Sequence, residues 1–407
     1  MPTALTDRIL AAVDEERVVA LEQAMVRIPS FTLEENRLAL YLAKYMEAAG
    51  LEVELQAVPV SDELVGVQPV GRLRGAGGGP SLLLSGHMDY IGLEDPERWR
   101  HPPFAAALEG GFIYGRGTKD EKGGICAAVA AAEALARSGI RLKGDLIVAP
   151  VMGHKTRSVG GGIGARHLMR SGVKADAAIV TENSGLGIAT TCVGRVTARL
   201  HMQGAAGSFD VRGTDLYGRL ARLIGRLGPH FGTVPRGTWL TFEPHASYAG
   251  FPMLVYGAVA IAERRCALTL NVRIVPGQTA ASVQADLERV LEEVRGGDPH
   301  YRSQAEVLHP VRYPHTISTD DALVQALAAA HGQVRGEPPE TGLAPRRGAV
   351  ADSWFFIESG ISRTVVYGPG TLGPDLPDAP DERIAVKDLV DCARIYALTA
   401  ATLCGTV

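Results

Sequence analysis

The sequence predicts an α/β protein whose largely parallel sheet is interrupted by a small two-layer α+β domain of ferredoxin-like order. Three observations lead to this prediction. The chain has 407 residues, which is long for one hydrophobic core and indicates two domains. Its first part alternates apolar strands with helices and places carboxylates where strands end, as in a parallel sheet. Between Ile188 and Leu308 the order becomes strand, helix, strand, strand, helix, strand, which is typical of a two-layer insert.

The first part opens with two amphipathic helices, the second introduced by Ser30 and Thr32 and stopped by Gly50. Alternating apolar residues then predict a strand and its partner. An alanine-rich helix that ends at Gly139 follows later in the chain. The predicted elements are helices Leu5–Met25 and Leu33–Ala49, strands Leu51–Val58 and Gly66–Leu73, helix Lys122–Ser138, strand Gly144–Val151, helix Gly162–Ser171 and strand Ala175–Thr181.

The insert and the return to the first domain complete the prediction. Prolines cluster in His309–His315, where we expect the chain to leave the insert. The domains are therefore residues 1–187, 188–309 and 310–407, the first and last forming one domain. The remaining elements are strand Ile188–Gln203, helix Thr214–Leu227, strands Leu254–Ala262 and Cys266–Val272, helix Ala280–Glu293, strand Ser303–Leu308, helix Asp320–His331, a short helix over Asp352–Phe356, strand Arg363–Tyr367 and helix Val386–Leu403.

Composition excludes several classes of protein. A hydrophobic content of 46%, a charged content of 21% and a net charge of -4 are typical of a soluble globular protein. Without a basic face or tail, nucleic acid is not an expected partner. No signal peptide and no membrane-spanning apolar run are evident, so we expect a cytoplasmic protein with no membrane partner. The five cysteines form no CxxC pair, which favours buried free thiols over a cysteine zinc site.

Potential site residues are concentrated in the stretch from Ser81 to Gly124. An apolar run breaks into the segment SGHMD, so a buried strand presents His87 and Asp89 at its end. Further along, the turn in YGRGTKDEKGG presents Asp120 just before a helix. Histidine and carboxylates at strand and turn ends are the usual components of a metal or acid/base site in an open α/β sheet.

Three segments carry a resemblance to a known family: SGHMD, RWRHPPF and YGRGTKDEKGG. They resemble the signatures of the co-catalytic zinc exopeptidases and amidohydrolases, which include acetylornithine deacetylase, succinyl-diaminopimelate desuccinylase, aminoacylase and carboxypeptidase G. The resemblance covers nearly the whole chain. It implies a zinc-dependent catalytic domain interrupted by a lid domain that often pairs two subunits, and hence a homodimer through the lid.

The resemblance implies an intact first metal site. By position in the family motifs, His87, Asp120 and Glu182 would hold one zinc, and Asp89 would orient the ring of His87. A metal with such ligands and an open position lowers the pKa of a bound water and polarises a carbonyl.

The second metal site of the family is altered. Where the family has an acidic pair, the first a general base and the second a zinc ligand, this sequence places His154 and Lys155. Asp378 falls where the family has its other ligand, a histidine. Because an ammonium cannot ligate a metal while protonated, we expect one zinc or other divalent ion at most. Lys155 and Asp378 would form a salt bridge in place of the second ion.

Other site residues remain open between functional and structural roles. His154 is either a base or ligand, or simply a polar residue at the start of a loop. Ser208 occupies the place of a lid histidine that stabilises the oxyanion in the family, and a hydroxyl does so more weakly. Arg273 matches an arginine that binds substrate carboxylate in several members, with Arg346 and Arg347 as lesser candidates.

Two functions follow from these patterns. The preferred hypothesis is a metal-dependent amidohydrolase or peptidase-like enzyme acting on an N-acyl amino acid, small peptide or related amide. The alternative is a non-hydrolytic descendant that binds an amino-acid-like ligand or catalyses acyl transfer or rearrangement in a biosynthetic pathway. The three first-site ligands favour the hydrolase, whereas the loss of the acidic pair and the lid histidine favours the alternative.

Overall fold

The computed structural model describes residues 2–93, 95–156, 161–204, 215–262, 265–298, 300–343, 351–370 and 379–407. Within these residues the chain forms two compact units. The first contains the described residues of Met1–Thr190 and those from Ile317 onward, and the second contains the described residues of Thr191–Thr316. The sequence analysis places the insert at residues 188–309.

The first unit begins with helices α1 (Thr3–Ala12), α2 (Glu15–Val26) and α3 (Asn36–Ala48). The prediction of one helix over Leu5–Met25 is wrong because the chain breaks at Asp14. The carboxylate of Asp14 accepts a hydrogen bond from the backbone N–H of Arg17 at 3.3 Å and so starts a second helix.

The sheet elements of the first unit follow. As predicted, the first strand pairs with the second in antiparallel fashion. The elements are β1 (Glu52–Pro59), β2 (Val65–Leu73), β3 (Leu82–His87), β4 (Ala107–Glu109), β5 (Phe112–Tyr114), α4 (Gly123–Ser138), β6 (Leu146–Val151), α5 (Ile163–Arg170), β7 (Ala177–Val180) and β8 (Ile188–Cys192).

Among its described residues, the second unit contains a five-stranded antiparallel sheet and two α-helices. Its elements are β9 (Gly194–Gln203), α6 (Leu216–Leu227), β10 (Gly232–Thr233), β11 (Met253–Ala262), β12 (Arg265–Ile274), α7 (Ala280–Arg295), β13 (Arg302–Arg312) and β14 (His315–Thr316). The sheet order is β10-β11-β12-β9-β13. Alternate residues of β9 and β12 point into a core shared with α6 and α7. This order confirms the predicted two-layer α+β insert.

The first unit is completed by the last part of the chain. Its elements are α8 (Ala322–Arg335), β15 (Thr341–Leu343), α9 (Ser353–Glu358), β16 (Thr364–Val366), β17 (Arg383–Ala385) and α10 (Val386–Leu403). The main sheet has the order β1-β2-β6-β3-β7-β16-β8-β14, and its central strands β6, β3, β7 and β16 are parallel. The predicted α/β class with a largely parallel sheet is confirmed.

Close packing beneath the parallel strands places α4 against the end of β7. A Cβ on Gly124 would lie 2.1 Å from the backbone oxygen of Thr181, so only glycine fits at this contact. The alanines of α4 are buried almost throughout, as its composition predicts. All five cysteines are buried and free, also as predicted. Within the described residues, each helix is too short or too polar to cross a bilayer.

Candidate active site

The candidate site lies at the carboxyl ends of three neighbouring parallel strands. His87 is the last residue of β3 and pairs with Val151, the last residue of β6. From the end of β6 the chain continues directly into His154 and Lys155, while Glu182 follows the end of β7. Parallel strands direct their carboxyl ends to one edge, where α/β proteins bind ligands. This topology brings side chains from distant parts of the sequence together.

Asp120 reaches the same edge from the turn between β5 and α4. Glu382 holds that turn: its carboxylate accepts hydrogen bonds from the backbone N–H groups of Gly117 at 2.9 Å, Lys119 at 2.9 Å and Asp120 at 3.2 Å. The same carboxylate forms an ion pair with buried Arg116 at 2.8 Å. The sequence analysis did not single out Glu382, although it lies in the segment that contains Asp378.

The three predicted ligands of the first metal site come together. Nε2 of His87 lies 3.0 Å from Oδ1 of Asp120 and 3.6 Å from Oε1 of Glu182. Two ligands of one tetrahedral zinc, each about 2.0–2.1 Å from the ion, are separated by roughly 3.4 Å. The two distances from His87 are therefore in the range expected for ligands of one zinc ion.

Negative charge is concentrated around His87. Burial by itself would lower its pKa, but the charges of Glu121, Asp120 and Glu182 raise the pKa well above its usual value. Burial and the charge of Glu182 likewise raise the pKa of Glu121 well above its usual range. Nε2 of His87, Oδ1 of Asp120 and Oε2 of Glu121 are buried without an aligned hydrogen-bond partner. Buried polar atoms are normally satisfied, so these three indicate a place for a cation.

His154 lies beside these groups. Its ring stacks on that of His87 with centroids 4.4 Å apart and planes within 5°, and its Nε2 is 3.9 Å from Oε1 of Glu182. One donor atom from each of these three residues lies within 4.8 Å of the others. On its other side, Nδ1 of His154 is 2.8 Å from Oδ1 of Asp352. Sequence reasoning found Asp352 only as the start of a short helix.

Asp89 supports the site through both its backbone and its carboxylate. Nδ1 of His87 hydrogen-bonds the backbone oxygen of Asp89 at 2.8 Å, whereas the carboxylate is 3.6 Å away. The carboxylate instead accepts hydrogen bonds from the backbone N–H groups of His154 and Lys155, each at 2.9 Å. It also accepts one from the hydroxyl of Thr32 at 2.9 Å. Asp89 thus fixes the His87 ring and the turn that carries the two altered residues.

Lys155 forms an ion pair with Asp120. Its Nζ is 2.6 Å from Oδ2 of Asp120, and the two side chains are only 13% and 10% exposed. Burial would raise the pKa of Asp120, but the ammonium of Lys155 and the imidazole of His87 hold it well below its usual range. Asp378, the partner expected from the sequence, lies outside the described residues.

The second unit contains a row of three arginines. Arg273 on β12 pairs with Arg195 on β9, which pairs with Arg312 on β13. Burial and the charge of Arg312 lower the pKa of Arg273 to about 10, and its Nε and Nη1 are buried without a hydrogen-bond partner. Clustered guanidinium groups of this kind favour an anion. Ser208, Arg346 and Arg347 lie outside the described residues.

Comparison with known proteins identifies the family. Residues 83–402 match Peptidase family M20/M25/M40. The chain belongs to this family. Succinyl-diaminopimelate desuccinylase of Methylobacterium sp. (strain 4-46) is 30% identical over 391 residues, covering 93% of this chain and 94% of the relative. N-formyl-4-amino-5-aminomethyl-2-methylpyrimidine deformylase of Bacillus subtilis (strain 168) is 25% identical, covering 87% of this chain and 86% of the relative.

A solved structure has a similar fold. The crystal structure of human carnosine dipeptidase 1 has a TM-score of 0.79 with 16% identity, covering 99% of this chain and 100% of that one. At this identity the likeness concerns the fold alone. The M20 family consists of metal-dependent hydrolases, and this chain is an amidohydrolase- or peptidase-like enzyme of that family.

Proposed function

We propose that this M20 family member cleaves the amide bond of an N-acyl amino acid, small peptide or related amide with one divalent metal ion. The observation that carries the proposal is that Nε2 of His87 lies at ligand spacing from both Asp120 and Glu182. Two relatives support the substrate class, because one is named for removing a succinyl group and the other for removing a formyl group. These intact ligands favour the hydrolase over a non-hydrolytic descendant.

The donor set suits zinc. Imidazole and carboxylate are common zinc ligands, and His87, Asp120 and Glu182 supply three of them. Such an ion polarises an amide carbonyl and activates water near neutral pH. The protein's own residues keep these donors in place, since Asp89 fixes the His87 ring and Glu382 fixes the Asp120 turn.

A second metal ion does not fit the described residues. Asp120 would have to bridge two ions through its two oxygens, but its Oδ2 is held by the ammonium of Lys155 at 2.6 Å. A positive side chain in that place repels a second dication. We therefore propose that Lys155 neutralises the outer oxygen of Asp120 and limits the centre to one ion.

An anionic group on the substrate accounts for the arginine row of the second unit. Arg273 has two buried nitrogens without a hydrogen-bond partner, and Arg312 adds a second positive charge nearby. A carboxylate can satisfy a guanidinium through two hydrogen bonds. We propose Arg273 as the residue that binds the substrate carboxylate.

A homodimer through the second unit is part of the proposal. Residues 259–262 of β11 pair with β12 on one side, and no strand among the described residues pairs with their other side. Val259 and Ile261 on this stretch are 47% and 41% exposed. An unpaired apolar edge strand favours pairing with a second copy. Replacing both residues by glutamate should give a monomer in size-exclusion chromatography with light scattering; an unchanged dimer, or a monomeric wild type, would contradict the proposal.

Metal analysis and hydrolysis assays test the proposed activity. Purified protein should contain one equivalent of divalent metal and hydrolyse some member of a panel of N-formyl, N-acetyl and N-succinyl amino acids and dipeptides. A chelator should abolish turnover, and added zinc should restore it. Two bound ions per chain would refute the single-metal centre, whereas full metal loading without turnover on any amide would refute the hydrolase.

A further inference from the structure

We infer that His154 is a protein ligand of the metal ion, together with His87 and Glu182, is held in place by Asp352, and is not the base that takes a proton from water. The inference rests on the metal centre of the proposed function but does not depend on which bond is cleaved. It assigns a role to a residue that the sequence left open and to a partner that the sequence did not indicate.

The position of the His154 ring is that of a ligand. Its Nε2 is 3.9 Å from Oε1 of Glu182, and Nε2 of His87 is 3.6 Å from the same oxygen. One donor atom each from His87, His154 and Glu182 lies within 4.8 Å of the other two. Two donors at about 2.0–2.2 Å from one ion are at most roughly 4.4 Å apart. The separations of 3.9 Å and 3.6 Å are both below this limit. His154 can therefore bind the ion directly, without a water between them.

Asp352 fixes the protonation pattern that a ligand needs. Its Oδ1 lies 2.8 Å from Nδ1 of His154, and the side chain is buried. Because a carboxylate accepts a hydrogen bond from a protonated Nδ1, the lone pair of Nε2 is left for a metal. Carboxylate–histidine–metal arrangements of this kind both orient the ring and raise its basicity.

The surroundings keep the pair rigid. The backbone N–H of His154 donates to Asp89 at 2.9 Å, and the backbone oxygen of His154 accepts from the N–H of Gly162 at 3.1 Å. A Cβ on Gly162 would lie 2.8 Å from Oδ1 of Asp352 and 2.1 Å from the ring of Phe355. Ring, carboxylate and turn are therefore packed into one arrangement, which favours a preformed ligand.

The ion pair of Lys155 with Asp120 explains why the metal would need His154 as a ligand. Lys155 occupies that oxygen, so Asp120 offers the ion only Oδ1. His154, next to Lys155 in sequence, supplies a neutral donor from the same turn. The turn thus contributes the ammonium of Lys155, which limits the centre to one metal ion, and the imidazole of His154, which binds that ion.

Zinc affinity separates the two roles of His154. The variants are His154→Ala, Asp352→Asn and Asp352→Glu, measured by competition with a chromogenic chelator. Loss of a ligand should weaken zinc binding by at least about 100-fold, and loss of the supporting carboxylate by roughly 10- to 100-fold. Asp352→Glu should restore part of the affinity. With cobalt in place of zinc, His154→Ala should also shift the visible absorption bands.

The matched control is a histidine–carboxylate pair elsewhere in the chain. His201 and Glu306 lie 2.9 Å apart on the exposed face of the second unit, so His201→Ala and Glu306→Gln should leave zinc affinity unchanged. Circular dichroism checks folding, and His154→Gln replaces any alanine variant that does not fold.

Two results would overturn the inference. Wild-type zinc affinity in His154→Ala with lost turnover would make His154 the base. Unchanged affinity in Asp352→Asn would remove Asp352 from the role of positioning residue. Failure of the proposed function is distinguishable from failure of this inference. A protein that binds zinc through His154 but cleaves no amide would support the inference and contradict only the proposed hydrolase activity.

Discussion

The pair of Lys155 and Asp120 makes a quantitative prediction about stability. Replacing Lys155 by methionine keeps most of the side chain's volume but leaves the carboxylate of Asp120 nearly buried without its ammonium partner. Breaking a buried ion pair in this way costs about 3–5 kcal/mol. Because the two side chains retain 13% and 10% exposure, we expect a loss near the lower limit, about 3 kcal/mol of unfolding free energy in metal-free protein at pH 7.

The loss of unfolding free energy in Lys155→Met should depend on pH in a predictable direction. Lys155 and His87 hold the folded-state pKa of Asp120 well below its unfolded value, against the effect of burial. A depressed acid pKa contributes stability above the unfolded pKa, about 3.9 for aspartate, and that contribution disappears as pH falls below it. The difference between wild type and Lys155→Met should therefore be largest near neutral pH and shrink below about pH 4.

Urea denaturation of chelator-treated protein at pH 7 and at about pH 3, below the unfolded pKa of aspartate, measures both effects. Lys174→Met is the matched control, because Lys174 is exposed and should change the unfolding free energy by no more than about 0.5 kcal/mol. A loss in Lys155→Met no larger than that of the control, or one independent of pH, would refute the ion pair as the element that stabilises Asp120.

Three further predictions concern the residues that support the site. Glu382→Gln removes the charge that faces buried Arg116 and should lower the unfolding free energy by about 3 kcal/mol and weaken zinc binding, measured by denaturation and chelator competition; stability and affinity equal to wild type would contradict this. Burial raises the pKa of Glu22 to about 8, above its unfolded value, so wild type should lose stability as pH rises from about 4.5 to 8. Glu22→Gln should remove that loss, and denaturation midpoints with the same pH dependence as wild type would count against it. Gly124→Ala should lower the melting temperature by several degrees, because its Cβ would meet the backbone of Thr181 at 2.1 Å. Scanning calorimetry measures the shift, and Gly225→Ala, where the added Cβ meets open space, is the control. Equal shifts in the two variants would exclude the clash.

Local patterns were sufficient for the architecture. Apolar runs that end in polar residues located β3, β6 and β7, and the change of order near residue 188 located the α+β insert. These signals depend on periodicity and turn residues within a few positions, so one chain without relatives contains them. The break at Asp14 was missed because two helices separated by only two residues, Val13 and the capping residue Asp14, have nearly the same apolar pattern as one.

Motif order also located the candidate metal ligands at the strand ends, but it could not predict which side chains contact one another. The sequence placed His87, Asp120 and Glu182 together through family resemblance, and it left His154 open between a base, a ligand and a loop residue. Asp352 lies far from His154 in sequence, and a carboxylate at a helix start has no distinguishing local signal. Glu382 and Glu121 escaped notice for the same reason.

The sequence by itself determined the family, the fold class and the loss of an acidic pair after β6, because each depends on which residue types follow one another. Only the tertiary structure decided that Lys155 pairs with Asp120, that the carboxylate of Asp89 holds the turn of His154, and that Asp352 supports that ring. Those contacts join the carboxyl ends of separate strands and the start of α9. Parallel strand pairing sets which distant side chains meet, and that pairing is a property of the packed sheet and not of any one segment.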